Sequence, residues 1–195
     1  LGTFYAAFMD ETAVEAAGAR PLAADLAAIR AVHDAASFAA LAGAAQETFQ
    51  SSPFSLMIQP DAKDPTRYSL DLDQAGLGMP DRDYYAKPSF AAKKTAYLAY
   101  VETMLGLIGW PDAKRAASDI VALETGVAKV HWARDEMRDP EKSYNPRTVA
   151  QLGKEAPGFD WARWLQAAGV PATGLAQRVV IVGEPRAIAG EAKIL

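Results

Sequence analysis

Apolar residues recur along the chain at two different periods, and the change of period divides it. Phe4, Ala7, Phe8, Val14 and Ala17 fall roughly three or four positions apart, the spacing of one helical face, and Gly18 followed by Pro21 is a stop signal. Pro21 suits the first turn of a second helix, in which Leu22, Leu26, Ile29 and Val32 form the apolar stripe. Ser37 is a candidate N-cap for a third, running through Phe38 and Leu41 toward Phe49. Helical spacing returns from Phe90 to Ile108, with Tyr97, Val101, Met104 and Leu105 on one side, and Gly109 and Pro111 end it. A long helix is predicted from about Asp112 to Arg134, its apolar face made by Ala116, Ile120, Leu123, Val127 and Val130. Thr148 to Leu152 and Trp161 to Ala168 read as short helices on either side of Pro157 and Gly158.

The other period is two. Ser51, Ser52 and Pro53 break the helical pattern, and residues 54–59 are short, apolar and bounded by proline at both ends. Across 67–73, Tyr68, Leu70 and Leu72 alternate with Arg67, Ser69, Asp71 and Asp73, so one face turns inward and the other to water. The intervening Pro60 to Pro65 is turn chemistry, and the two runs are predicted to pair as a β-hairpin. Val179 to Val182 reads as a buried strand or strand-like connector. The fold class is therefore mainly α, a multi-helix domain with one small β-hairpin at about 54–59 and 67–73. The tail after Pro185 has no clear finish and looks like a cut through a longer chain.

Composition narrows the function classes. The 195 residues suit one packed domain, half of them are apolar, and alanine-rich composition favours helix. A net charge of -4 with scattered Lys and Arg lacks the footprint of a nucleic-acid binder, and no apolar run approaches the roughly 20 residues of a membrane span. Without cysteine there is no disulfide, thiol nucleophile or thiolate metal site.

Candidate chemistry is sparse. His33 and His131 are the only histidines, and neither lies in H-E-x-x-H, the helical spacing that puts two imidazoles on one metal. Glu124 and His131 are seven apart on one predicted helix, which supplies two ligands where a structural zinc needs four. Asp61, Asp64, Asp71 and Asp73 miss the calcium-loop pattern and read as turn formers and a wet strand face. Ser37, Ser51, Ser52 and Ser55 lack a nucleophile elbow, and Gly76-Leu77-Gly78 is followed by Met79-Pro80 rather than by the lysine of a phosphate loop. The tryptophans at 110, 132, 161 and 164 are expected to pack in the core and between domains rather than to cage a ligand.

The run Gln74-Ala75-Gly76-Leu77-Gly78-Met79-Pro80-Asp81-Arg82-Asp83-Tyr84-Tyr85 closely resembles the Q-x-G-L-G-L-P-x-R-D-Y-Y segment of the neprilysin and endothelin-converting-enzyme family of zinc metallopeptidases. Further matches follow in the family's order, among them Phe4-Tyr5, Pro21-Leu22, Asp61 to Asp64, Arg138-Asp139, Tyr144-Asn145 and Phe159 to Trp161, so the resemblance spans nearly the whole chain. It implies a helical domain that caps the active site of a thermolysin-like catalytic domain and limits substrates to peptides and small proteins. It also implies a chain incomplete at both ends, because the family's zinc ligands and catalytic Glu lie C-terminal to the matched region. No catalytic or metal-binding residue carries over; zinc is the parent's cofactor, held outside this chain. The implied partners are peptide substrates and the missing catalytic domain, and the implied location is extracytoplasmic, periplasmic or secreted.

The matched residues also have a local reading. Gly76 and Gly78 permit backbone angles closed to other residues, and Pro80 stiffens the hairpin exit. Arg82 and Asp83, beside Tyr84, can pair with each other's neighbours or with Arg138 and Asp139, a structural polar staple between hairpin exit and long helix. Tyr144 and Asn145 end a loop, Asn145 satisfying backbone groups. An independent helical module that binds a peptide or protein without reaction is the alternative from another class; exposed apolar surface, and some self-association of the isolated piece, are expected where a partner domain would dock.

Overall fold

The computed structural model describes residues 1–48 and 52–195; the expected approach of the third helix to Phe49, and Ser51, lie outside them. The chain is mainly α-helical. Two short helices, α1 (Gly2–Phe8) and α2 (Glu11–Ala17), replace the single first helix of the sequence reading. The break falls at Asp10, whose carboxylate accepts from the Ala13 amide at 2.9 Å and so caps a new helix. A 3-10 turn at Arg20–Leu22 leads into α3 (Ala23–Arg30), and α4 (Ala35–Glu47) follows. Its N-cap is Asp34 rather than Ser37, and Ser37 completes the capping box from the third helical position.

The hairpin is longer than its alternation suggested: β1 (Phe54–Asp61) pairs antiparallel with β2 (Asp64–Gln74), leaving only Ala62 and Lys63 as the turn. The helices α5 (Asp83–Ala86), α6 (Ala91–Leu107), α7 (Ala113–Val130) and α8 (Arg134–Met137) come next. The last segment runs through β3 (Asn145–Thr148), α9 (Val149–Glu155), α10 (Trp161–Ala167), β4 (Val179–Val182) and α11 (Pro185–Glu191). The hairpin is thus half of a four-stranded mixed sheet ordered β1-β2-β4-β3, with β2 and β4 parallel and β3 antiparallel to β4. Asn145 opens a strand instead of finishing a loop. Pro146 is tolerated there because β3 is an edge, where a missing N–H breaks no ladder.

One face of the sheet carries Phe54, Leu72, Val180 and Val182 into a core closed by Ala39 and Ala42 of α4, Leu152 of α9, Trp161, Trp164 and Leu165 of α10, and Ile188 of α11. Phe54 sits among aromatic rings, with centroids 4.7 Å from Trp161, 5.0 Å from Phe159 and 5.9 Å from Trp164. The core expectation therefore holds for Trp161 and Trp164, while Trp110 and Trp132 are half-buried beneath the guanidinium groups of Arg30 and Arg186. Gly43 lets α4 lie against α10, since a Cβ there would collide with the Trp164 carbonyl. The free edge of β1 is sealed by Gln46, whose amide donates to the Phe54 carbonyl at 2.7 Å and accepts from the Leu56 amide at 3.2 Å.

On α7 the buried positions are Ala117, Val121, Val127 and Ala128, while Leu123 is exposed. The buried face is therefore rotated about one residue from the all-apolar stripe, and Glu124 falls within it, at the step of three or four from Val121 and Ala128 that a helix requires. That rotation brings a carboxylate to the hairpin exit.

Candidate functional site: the hairpin-exit junction

The twelve-residue run from Gln74 to Tyr85 leaves the end of β2, crosses the C-terminal part of α7 and enters α5. Four side chains fix it. Gln74 acts as a stand-in for backbone: its side chain accepts from the Trp132 amide at 2.7 Å and donates to the Trp132 carbonyl at 3.2 Å. Glu124 accepts from the Tyr85 hydroxyl at 2.9 Å, the Tyr97 hydroxyl at 3.0 Å and the Gly78 amide at 3.3 Å. The Arg82 guanidinium donates to the His131 carbonyl, left open where α7 ends, and Arg134 pairs with Asp81 at 2.6 Å while also reaching the Pro80 carbonyl. Burial is the main reason the Tyr85 and Tyr97 phenols are pushed up, so both remain donors to Glu124 at any physiological pH.

The expected site residues fall into three groups. Gly76, Gly78, Pro80, Arg82, Asp83 and Tyr84 come together here. Gly76 does hold a positive φ of 82°, but Gly78 is required for a different reason: a Cβ there would overlap Tyr97 and Glu124. Asp83 makes an i,i+4 pair with Lys87 at 2.6 Å, and Tyr84 stacks on Phe90 with centroids 4.2 Å apart. Tyr144 and Asn145 lie across the sheet. Tyr144 donates to Asp61 at 2.9 Å, beside the Arg67 pair at 2.8 Å, and Asn145 donates to the Val182 carbonyl at 3.0 Å. Asp61 is thereby a buried anchor, not part of a wet face.

The staple to Arg138 and Asp139 is not formed. Asp139 turns back on its own loop, accepting from the Glu141 and Lys142 amides, and Arg138 is exposed with no side-chain hydrogen bond or ion pair among the described residues. Helix α7 stops at Val130, so residues 131–133 run extended and it is Arg134, at the start of α8, that reaches Asp81. Arg138→Ala is accordingly expected to leave stability within about 0.5 kcal/mol of wild type. Arg134→Ala should cost up to about 1 kcal/mol, a small figure because the guanidinium is two-thirds exposed. Parallel denaturant titrations check both, and a larger loss for Arg138→Ala would restore the original staple.

Beneath the junction lies a buried acid cluster that the sequence did not signal. His131 Nε2 is 3.1 Å from Glu191, and both side chains are within 5 % of full burial. Glu184 accepts from the Gln74 amide at 2.9 Å and is pushed up to about 7 by burial, reinforced by repulsion from Asp73. Burial also raises Asp73 and Glu191, Asp71 adding to the first and His131 opposing the second. These groups do not fit zinc. His131 has one carboxylate against it, His33 is exposed against Ala31 and Asp34, and no three His, Cys, Asp or Glu converge among the described residues. A cleft of about 440 Å³ opens between the Gln74 to Arg82 loop and Trp132, Arg134 and Met137. None of its lining residues is a Ser, Thr, Cys or Lys.

Comparison with known proteins assigns this architecture. The model of peptidase family M13 matches residues 1–195. Endothelin-converting enzyme 1 of Rattus norvegicus is 32% identical over 128 residues, covering 63% of this chain and 17% of that protein. The Mycobacterium tuberculosis zinc metalloprotease Zmp1, solved in an open state, aligns with a TM-score of 0.88 and 37% identity over 97% of this chain and 30% of its own. PepO from Lactobacillus rhamnosis shares the fold at a TM-score of 0.72 with 17% identity, over 92% of this chain and 28% of that one. The chain thus spans under a third of the length of these relatives. It belongs to peptidase family M13, the neprilysin and endothelin-converting-enzyme family of zinc metallopeptidases, and corresponds to a helical portion of such an enzyme.

Proposed function

We propose that this chain is the substrate-restricting cap of a zinc metalloendopeptidase, itself non-catalytic, and that the zinc and the hydrolytic residues lie elsewhere in the same polypeptide. Family membership over residues 1–195 carries the reading. Two features of the chain support it: the sequence lacks H-E-x-x-H, and both histidines are already engaged, one in a buried pair and one on the surface. When bound in the remainder, zinc would activate water for attack on a peptide carbonyl. The role of these residues is to exclude water and to wall off the space through which a peptide reaches the metal. The Glu124 hub, tying α6, α7 and the motif loop, makes that wall rigid. Peptides are the substrates, and by the same resemblance the enzyme works outside the cytoplasm, periplasmic or secreted. No helix among the described residues is long and apolar enough to cross a membrane.

The test is Glu124→Ala in the full-length polypeptide, which frees Tyr85, Tyr97 and the Gly78 loop at once. Zinc content and turnover of a five-residue peptide should stay within about twofold, while cleavage of a long unfolded chain rises several-fold as the wall loosens. Loss of zinc, or equal loss on short and long substrates, would overturn the cap reading in favour of a direct catalytic role. A full-length polypeptide that holds no zinc and cleaves neither substrate would leave the independent binding module.

A further inference from the structure

Strand β4 pairs with β2 only at Asp71↔Ile181 and Leu72↔Val182, although β2 runs back to Asp64 and β4 to Val179. Ahead of those two pairs the strands part. The Gly183 amide donates to the Leu72 carbonyl at 2.9 Å, so the even-numbered residues of β2 turn their backbone groups toward β4 and the odd-numbered ones pair with β1. The Tyr68 amide and carbonyl and the Leu70 amide therefore face the gap with no strand partner among the described residues. A cavity of about 660 Å³ lies there, lined by Tyr68 to Leu70 on one wall and by Arg178 and Val179 on the other, within the roughly 300–1,000 Å³ of ordinary ligand sites. The hairpin tip is pinned across the sheet, where Tyr144 and Arg67 hold Asp61 and Lys63 pairs with Glu141 at 3.1 Å. The two sides of the notch differ. Leu56, Ile58 and Tyr68, with Val170 and Pro171 after α10, make one side apolar, and Ile58 and Tyr68 are 72 and 75% exposed. The pleat of β2 puts Arg67 and Ser69 on the other. Arg178 and Glu47 also line it, both exposed and without a side-chain hydrogen bond or ion pair among the described residues.

We propose that this notch binds an extended segment of the peptide substrate, away from the bond that is cleaved, by strand addition to the open part of β2. The inference rests on the cap reading and names the form in which that cap meets its substrate. An unpaired strand edge is a template for another extended chain, and strand addition draws affinity from the main chain and selectivity from alternate side chains. A helix has no free backbone groups along its length to match those of Tyr68 and Leu70, whereas an extended peptide presents them on alternate residues. One apolar and one polar side of the notch call for a segment whose residues alternate in the same way. The open cation at Arg178 and the open anion at Glu47 call for an acidic residue and a basic one flanking that alternation.

The probe is the end-blocked hexapeptide acetyl-Glu-Val-Thr-Val-Thr-Lys-amide, added to the full-length polypeptide. It is expected to raise KM for cleavage of a long unfolded chain by about threefold or more with kcat unchanged, and to leave turnover of a five-residue peptide within about twofold. Fluorescence anisotropy reads its binding directly. Arg178→Glu, an exchange at an exposed side chain, should weaken that binding by about tenfold or more and favour instead the same peptide with Lys in place of its Glu. Methylating alternate backbone nitrogens of the probe should cost about tenfold as well, since the pairing is made by the main chain. Equal binding of the methylated peptide, or of both peptides by the Arg178→Glu protein, would overturn the proposal. So would competition against long and short substrates alike, which places the probe at the zinc, and so would no binding at all, the result expected if another segment of the polypeptide or a second copy fills the notch. Zinc-dependent hydrolysis read on the same sample separates the two ideas. Probe binding that Arg178→Glu reverses in a protein that cleaves nothing would remove the peptidase reading and leave a strand-binding site, and hydrolysis without probe binding would do the opposite.

Discussion

Phe54→Ala is expected to destabilise the chain by about 3–5 kcal/mol, the range for removing a fully buried aromatic ring. In a chain of this size that corresponds to a fall in melting temperature on the order of 10 °C. Phe54 has no exposed surface and stands where the sheet, α10 and the loop before it meet, with the rings of Phe159, Trp161 and Trp164 all within 6 Å of its own. Those neighbours cannot close the gap. Trp161 is held by a 2.8 Å bond from its indole to the Ala156 carbonyl, and Trp164 lies against α4 at Gly43, where there is no room to shift. The space left by the ring therefore stays a cavity, and the full transfer and cavity costs are paid together. Phe4→Ala makes the control, since a side chain that touches no core should change stability by no more than about 0.5 kcal/mol in residues 1–195. Differential scanning calorimetry on both variants reads the contrast. A loss below 1 kcal/mol for Phe54→Ala would mean that the base of the hairpin does not seal the core.

The same contrast explains what the sequence could reveal. Helix ends were readable where one residue's chemistry decides them, as at Gly18 and at Gly109, but not at the start of α4, where Asp34 is the cap and the expected cap Ser37 sits at the third helical position. The hairpin was readable because Tyr68, Leu70 and Leu72 alternate strictly, which sets a face without knowledge of the partner. β3 was not, since Asn145-Pro146-Arg147-Thr148 shows neither alternation nor strand propensity and becomes a strand only by pairing with β4, more than thirty residues later. The parallel contact of β2 with β4 is equally non-local.

At the junction, the twelve-residue motif marked the loop but not the side chains that support it. Glu124 is readable as a metal-ligand candidate beside His131 but not as a hub, because a stripe sought among apolar residues steps over the one carboxylate in it; the signal available was its helical register with Ala117, Val121 and Ala128. Arg138 was drawn from the matched pair Arg138-Asp139, but α7 ends at Val130 and it is Arg134 that reaches Asp81. Glu184 and Glu191 carry no local mark at all. Their character comes from burial against β2 and α7, contacts between residues 60 to 110 positions apart.

That burial gives stability an unusual dependence on pH. Glu184 titrates near 7 in the folded chain and near 4.5 when unfolded, so between those values the folded state holds a proton that the unfolded state has lost. The stabilisation is complete below about 4.5 and disappears as pH rises through 7, because above that point folding must bury a charge. The difference in pKa corresponds to about 3 kcal/mol. Asp73 and Glu191 are raised for the same reason and add in the same direction. Carboxylates shifted downward, such as Asp34, Glu136 and Asp139, act oppositely, but they lose their contribution only as pH falls below the ordinary carboxylate range. The interval from pH 5.5 to 8 therefore isolates the buried acids, and the melting temperature of the wild type should fall across it. Glu184→Gln keeps an oxygen that can accept from the Gln74 amide but cannot ionise, so its stability should vary much less over that interval and exceed wild type at pH 8. Melting curves of the two proteins running parallel from pH 5.5 to 8 would exclude Glu184 as the source. A Gln variant less stable than wild type at pH 8 would show instead that the carboxylate's bond to Gln74 outweighs the cost of its burial.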